Sequence, residues 1–135
     1  MISNPKYGWC DFELGGFKGT PSYLTDVPVD LLVGFIDYFT KGSSCIWFDE
    51  EGTEFTLLLT PYSMFIVIEK DEHASLYDLS EINIKELAAE LIRDIEFNID
   101  EWSGWIIGDE EKKAEDIKIH KNELSKLIGE LKELL

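Results

Sequence analysis

The chain has 135 residues and carries 28 Asp and Glu against 12 Lys and Arg, a formal net charge of −16. The length suits one domain over residues 1–135, and a 44% hydrophobic composition argues against intrinsic disorder. The charge argues strongly against nucleic acids and anionic membranes as partners, because both need a basic face. With no long apolar run and no leader-like N-terminus, the sequence predicts a cytoplasmic protein.

The excess of acids lies in the body of the chain. Residues 1–108 carry 20 acidic and 6 basic residues, a net −14, whereas residues 109–135 carry 8 and 6, a net −2. The final segment is therefore not the surface where we expect a charged partner to bind.

The N-terminal residues predict one strand and a loop. Residues 7–14 mix aromatic and apolar side chains with single acids, which is typical of a half-buried strand. Glycines at positions 15, 16 and 19 predict an irregular connection over residues 15–22.

A helix follows this connection. Thr25 or Asp26 can cap its start, and Pro28 suits its first turn. Gly42 lies just past its end, where a left-handed residue often closes a helix. The apolar positions recur at three and four residues and are Val27, Leu31, Leu32, Phe35, Ile36 and Phe39.

Three apolar runs then predict an antiparallel sheet. The runs are 45–48, 55–59 and 64–69, and the acidic turn Asp49–Gly52 joins the first two. The connections are short enough for antiparallel pairing, whereas a parallel pair needs a longer crossover. Residues 74–79 are compatible with one further short strand.

The C-terminal half predicts two amphipathic helices separated by a polar break at Gly108–Glu111. The first has the apolar face Ile84, Leu87, Ala88, Leu91, Ile92, Ile95, Ile99 and Trp102. The second has the apolar face Leu124, Leu127, Ile128, Leu131 and Leu134. Together these elements predict an α+β fold: an antiparallel sheet of four to five strands, one helix inserted after the first strand, and two C-terminal helices packed on a sheet face.

Residues suited to catalysis or metal binding are few. Cys10 and Cys45 lie in separate predicted strands, where we expect buried free thiols. Neither His73 nor His120 belongs to a recognisable nucleophile–base pair, and a zinc site needs more Cys and His ligands in paired spacing. The sequence therefore predicts no catalytic residue, no metal site and no cofactor.

The acidic turn is the first candidate site. Asp49, Glu50, Glu51 and Glu54 place four carboxylates within six residues. They suit an Arg- or Lys-rich surface of a partner protein, and oxygen ligands also suit a divalent cation, although the spacing is not that of a calcium loop. The alternative is a solvated turn whose charges protect the sheet from edge pairing.

Residues 94–105 form the second candidate site. Aromatic side chains bordered by carboxylates suit a protein interface, because the rings contribute buried area and the charges contribute steering. The predicted partner-binding residues are Asp94, Glu96, Phe97, Asp100, Glu101 and Trp105. The alternative is that Trp102 and Trp105 only close the core under the last helix.

Two segments carry a family resemblance. The run from Gly16 to Pro28, leading into a Leu-rich helix, and the strand and turn Phe48–Gly52 resemble small acidic α+β proteins of bacteria, among them immunity proteins of polymorphic or contact-dependent toxin systems. The resemblance covers the first half of the chain. It implies that the protein binds and occludes a basic toxin, often a nuclease, with an acidic face and without catalytic residues.

Three functional hypotheses follow. The first is a non-catalytic cytoplasmic immunity or inhibitor protein that binds a basic protein. The second is a structural or housekeeping subunit, possible as a homodimer, whose charge serves solubility. The third is an enzyme or metal-binding protein with a carboxylate-lined pocket.

Overall fold

The computed structural model describes residues 1–107 and 112–135. This part of the chain contains the strands β1 (Ile2–Lys6), β2 (Trp9–Leu14), β3 (Phe17–Gly19), β4 (Ser44–Asp49), β5 (Glu54–Leu59), β6 (Met64–Lys70) and β7 (His73–Asp78). It also contains the helices α1 (Val27–Lys41), α2 (Ile84–Phe97), α3 (Ile99–Ser103) and α4 (Ala114–Leu134). The α+β class is confirmed. The polar break predicted at Gly108–Glu111 lies outside the described residues.

The strands of the described residues form two antiparallel sheets, in the orders β1-β2-β3 and β4-β5-β6-β7. The prediction of one sheet is wrong because the segment before α1 folds into a meander of its own. Gly15 and Gly16 have φ values of +55° and +87°, which a two-residue hairpin turn needs and glycine adopts without strain. The loop predicted over residues 15–22 therefore contains β3, and α1 follows the third strand instead of the first.

The four-stranded sheet follows the predicted meander. Strands β4, β5 and β6 coincide with the three apolar runs, and the segment predicted as a possible extra strand forms β7. Its register is regular along all three ladders, with Phe48 opposite Phe55 and Phe55 opposite Ile68. Side chains therefore alternate strictly between an inner face, turned to the core, and an outer face.

Aromatic rings on the inner face join the two sheets. Phe48 and Phe55 stack with their ring centroids 4.7 Å apart, and Phe12 of β2 lies 5.2 and 5.1 Å from them. Phe17 of β3 lies 4.9 Å from Phe55. Each such contact contributes about 0.5–1.5 kcal/mol beyond the burial of its area. The three-stranded sheet is thus held against the inner face.

Helix α1 has the ends that the sequence predicts. Asp26 is its N-cap and accepts a hydrogen bond from the Val29 N–H at 3.4 Å, Pro28 lies in the first turn, and Gly42 closes the helix at φ +95°. One side of α1 packs on β4 and another side packs on α4. The helix thus completes the covering of the inner face.

The described C-terminal residues form three helices where the sequence predicts two. The first predicted helix is interrupted at Asn98, which ends α2 and precedes α3, and α4 begins earlier than its apolar stripe indicates. Helix α2 contacts β1, and α4 contacts α1 and α3. None of the described helices has the length and hydropathy needed to cross a membrane.

His120 of α4 connects the C-terminal helices to the start of α1. Its Nδ1 lies 2.9 Å from the Ser103 carbonyl oxygen, and its Nε2 lies 2.9 Å from Oδ2 of Asp26. Both partners accept hydrogen bonds, so only the doubly protonated imidazolium satisfies both contacts. Burial alone lowers the pKa of His120, but the hydrogen bond and charge of Asp26, the Ser103 carbonyl and the charge of Glu123 outweigh it and raise the pKa.

Gly34 fixes how closely α1 approaches β4. A Cβ at this position would lie 2.3 Å from Cδ1 and 2.4 Å from Cγ1 of Ile46, which is buried. We expect Gly34→Ala to lower the free energy of unfolding by about 1–3 kcal/mol through overpacking. Ile46→Ala removes both clashing atoms, so the double variant should lose less stability in urea unfolding than the sum of the two single losses. Additive losses would contradict this contact.

The His120 contacts make stability depend on pH. The folded-state pKa is raised above the reference value of 6.5, so the stabilisation is complete below that pH and is lost as pH rises through the folded-state pKa. Urea unfolding should therefore show stability that falls in the interval above about pH 6.5. His120→Gln should be less stable than the wild type at the lower pH and should lose less stability across this interval.

Asp30 provides the control for this pH dependence. Burial, with the charge of Asp26, raises the pKa of Asp30 from 3.8 to about 6, so its ionisation lowers stability mainly below the His120 interval. Asp30→Asn should flatten the plot of unfolding free energy against pH below about pH 6 and leave the fall that we assign to His120 unchanged. If the loss of stability at the higher pH disappears in Asp30→Asn and persists in His120→Gln, it does not come from His120.

Candidate functional site

The inner-facing side chains of β4, β5 and β6 are mostly buried, whereas those on the outer face of the four-stranded sheet are exposed or half-buried. The register places on it the side chains of Cys45, Trp47, Thr56, Leu58, Phe65, Val67 and Leu76. Trp47 is 44% exposed and Leu76 is 67% exposed. Cys45 is exposed too, whereas Thr56, Leu58, Phe65 and Val67 are half-buried. A largely apolar sheet face that reaches solvent at such side chains is a candidate interaction site. We call these seven residues the outer patch.

Three carboxylates cross one end of the outer face. Asp49, Glu54 and Glu69 are consecutive in the register of β4, β5 and β6, and we call them the carboxylate row. Glu54 stands directly opposite Glu69, and its side-chain hydrogen bond and charge raise the pKa of Glu69. Trp47 Nε1 donates a hydrogen bond to Glu54 Oε2 at 3.0 Å. The outer patch and the carboxylate row therefore meet at Trp47.

The acids of the predicted turn have different roles. Glu50 accepts hydrogen bonds from the Thr20 N–H at 2.8 Å and from the Thr53 hydroxyl at 3.1 Å, so it anchors the turn. Asp49 accepts from the Glu51 N–H at 2.7 Å, which holds Glu51 at φ +56°. The Glu51 side chain itself is exposed. The turn therefore keeps its shape and still presents charge to solvent.

A shallow acidic cleft of about 600 Å³ lies between the β4–β5 and β6–β7 turns. Its lining includes Glu54, Glu69, Asp71, Glu72 and His73. Over residues 1–107 and 112–135, no three Cys, His, Asp or Glu side chains are grouped so that they could hold a metal ion. The cleft therefore presents negative charge without a metal-binding arrangement of the described residues.

Asp94 of the second predicted site contacts the N-terminus. Its Oδ2 accepts a hydrogen bond from the Met1 amine at 2.7 Å and another from the Ile2 N–H at 3.1 Å, and Glu90 accepts from the same amine at 2.9 Å. Burial alone lowers the pKa of this amine, but the hydrogen bonds and charges of Asp94 and Glu90 outweigh it and raise the pKa. Asp94 thus fixes β1 against α2.

Two more acids of this site pair with α4. Lys121 donates to Oδ1 of Asp100 at 2.7 Å, and Lys132 donates to Oε1 of Glu96. Both pairs are exposed and connect neighbouring helices. The three carboxylates predicted to meet a partner at positions 94, 96 and 100 therefore have partners within the fold.

The aromatic residues of the second site are divided between surface and core. Phe97 is 86% exposed, and Glu101 is exposed as well. Trp105 is 4% exposed, donates from Nε1 to the Thr25 carbonyl at 3.0 Å and contacts Trp102 with ring centroids 5.7 Å apart. Its predicted role as a surface anchor does not fit this burial. Both tryptophans instead close the core, as the alternative holds.

The two free cysteines occupy different environments. Cys10 is buried on β2, and burial together with the charge of Asp11 raises its pKa to about 12. Cys45 is exposed, so the prediction of two buried thiols is wrong at this position. The physical reason is the alternation along β4, which turns Ile46 inward and Cys45 outward.

Trp47, Glu69 and Leu76 are not among the site residues that the sequence predicts. For Glu69 the sequence does contain a signal. A tight turn at Pro61–Tyr62 pairs Thr60 with Ser63, and the same hairpin register places Glu54 opposite Glu69. The exposure of Trp47 and Leu76 had no local signal, because it depends on which face of the sheet is covered.

Comparison with known proteins finds no matching family model, no similar curated protein and no similar solved structure.

The contacts of Asp94 and Asp100 predict different effects of removing their charge. Asp94→Asn should lower the free energy of unfolding by about 1.5–3 kcal/mol, since it weakens hydrogen bonds to a partly buried charged amine. Asp100→Asn removes an exposed ion pair and should cost less than about 1 kcal/mol. Urea unfolding of both variants at neutral pH measures the difference. Equal losses would show that Asp94 does not organise the N-terminus.

Proposed function

We propose that this chain is a non-catalytic protein-binding module of the immunity or inhibitor type, which neutralises a basic toxin such as a nuclease. The observation that carries this proposal is the contact of the outer patch with the carboxylate row at Trp47. Uncovered apolar side chains contribute affinity once a partner desolvates them, and carboxylates beside them contribute attraction and orientation.

The outer face supports this proposal better than the second predicted site does. Around residues 94–105, three of the four carboxylates pair with the N-terminal amine or with lysines, and the rings of Trp102 and Trp105 are buried. In the carboxylate row, by contrast, Glu54 and Glu69 face each other. Their negative potential is directed to solvent and to any molecule that approaches the sheet.

The net charge favours a basic partner over a second copy of the chain. Two copies would bring together two bodies of formal charge −16, and their repulsion opposes association. A homodimeric structural subunit remains the alternative, and it would be recognised by a doubled mass in light scattering at physiological salt.

The mechanism of neutralisation follows from these features. A nuclease presents a basic groove to phosphate, and a surface lined with carboxylates can compete for that groove. Electrostatic steering raises the association rate above the unassisted value of about 10⁵–10⁶ M⁻¹s⁻¹ and makes it depend on salt. Trp47 and Leu76 would then determine the rate of dissociation, because affinity resides mainly in desolvated anchors.

Glu69→Lys tests this mechanism. The probe is the basic C-terminal domain of the protein encoded beside this chain, whose binding is measured by surface plasmon resonance at low and high salt. We expect tight, salt-sensitive binding by the wild type and association at least about tenfold slower for Glu69→Lys. Its stability should be unchanged or raised, because the substitution removes the repulsion from Glu54, so weaker binding cannot be attributed to unfolding.

Glu101→Lys is the matched control, since it changes the net charge equally on α3 and should slow association much less. Trp47→Ala should leave the association rate nearly unchanged and speed dissociation at least about tenfold. Equal effects of the two charge reversals would contradict the location of the site. The lack of a basic neighbouring domain, or binding that is insensitive to salt, would contradict the proposed function.

A further inference from the structure

The outer edge of β4 has main-chain groups without partners. Glu50 donates its N–H to the Thr53 carbonyl, so this pair is hydrogen-bonded across the β4–β5 turn. In an antiparallel ladder, hydrogen-bonded pairs alternate with pairs that are not hydrogen-bonded. The main-chain N–H and C=O groups of residues 45, 47 and 49 therefore point away from β5. The Asp49 carbonyl confirms this direction, because it accepts from the Ser22 N–H. Within the described residues, Cys45 and Trp47 have no such main-chain partner on this edge.

A groove of about 660 Å³ runs beside this edge. One wall is α1, with Asp30, Val33 and Asp37 on adjacent turns, and the opposite wall is β4 from Ser44 to Trp47. The groove opens onto the outer patch through Cys45 and Trp47. Its volume lies in the range of pockets that enclose ligands, and it has the elongated walls, helix and strand edge, that suit an extended chain.

The charge on the helical wall indicates what kind of chain fits. Asp37 pairs with Lys41, but the half-buried Asp30 carboxylate has no hydrogen-bond or ionic partner among the described residues. Burial and the charge of Asp26 raise the pKa of Asp30 to about 6. A cationic side chain in the groove would reverse this shift by supplying the missing counter-charge.

We infer that the partner inserts an extended segment into this groove as an antiparallel strand beside β4, with basic side chains directed to Asp30 and apolar side chains directed to Trp47. This inference rests on the proposed function and names the part of the partner that is recognised. The segment residues directly opposite Cys45 and Trp47 have their side chains on the same face of the sheet as Trp47, so these are the apolar residues. Because the N–H and C=O groups of Cys45 and Trp47 point to this edge, the apolar residues also exchange main-chain hydrogen bonds with β4. The alternate, basic residues point to α1.

The other edge of this sheet, β7, lacks the second wall. All residues from His73 to Asp78 are exposed, and no described helix contacts the strand along its length. A strand added there would gain main-chain hydrogen bonds and a contact with Leu76, but it would have no helix beside it. The groove beside β4 offers main-chain hydrogen bonds, an apolar contact at Trp47 and an ion pair with Asp30 on the helical wall.

Three synthetic peptides test the inference: an acetylated hexapeptide of alternating lysine and valine, the same peptide N-methylated at its valines, and the same peptide N-methylated at its lysines. Binding is followed by amide chemical shifts of the full chain. The parent peptide should shift amides of residues 30–37 and 44–48. Methylation at the valines should weaken binding at least about tenfold, whereas methylation at the lysines, which face away from β4, should have a small effect.

Two protein variants separate this inference from the proposed function. Asp30→Asn should weaken the parent peptide about tenfold, and Glu69→Lys should change it little. The inference is overturned if both methylated peptides bind like the parent, or if Glu69→Lys abolishes binding and Asp30→Asn does not. In either case salt-sensitive binding of the basic toxin domain through the outer face would still stand. Loss of toxin binding with an intact peptide response would instead overturn the proposed function alone.

Discussion

The fold depends on the contact between Phe12 and the inner face of the four-stranded sheet, where its ring lies 5.2 Å from Phe48 and 5.1 Å from Phe55. Because side chains alternate along a strand, turning Phe48 to the core turns Trp47 to the other face. A shift of one residue in the register would bury Trp47 only by exposing Phe48. The exposed surface of the sheet is therefore set by the aromatic contacts on its opposite side.

The acidic residues act differently on the two sides of the molecule. On the helical side, Asp94 accepts from the N-terminal amine, Asp100 pairs with a lysine, and Asp26 pairs with His120, so these carboxylates join one element to another. On the sheet, Glu54 lies opposite Glu69. Similar densities of acid in the sequence thus produce internal ion pairs in one region and an outward negative field in the other.

The parts of the fold that the sequence predicts correctly depend on local signals. Asp26 and Gly42 immediately flank α1 and mark its two ends. Short turns define the β4–β6 meander. The runs 55–59 and 64–68 are apolar on both faces, which is also the pattern of a fully buried strand, so the sequence does not reveal that one face is open. The burial of Trp105 depends on packing with distant residues and has no local signal. The three-residue β3 is too short for a periodic pattern.

The carboxylate row is where sequence and fold disagree most. Like charges directly opposite each other, as at Glu54 and Glu69, destabilise a sheet. Trp47 beside them is 44% exposed, so much of its ring lacks the packing that would offset this repulsion. Sequences that fold well are locally consistent, and their exceptions concentrate at functional or strained sites. One basic and partly apolar surface would neutralise Glu54 and Glu69 and cover Trp47 at the same time. Both exceptions occur at one end of one sheet, and this coincidence, more than the total charge of −16, favours that end for the proposed partner.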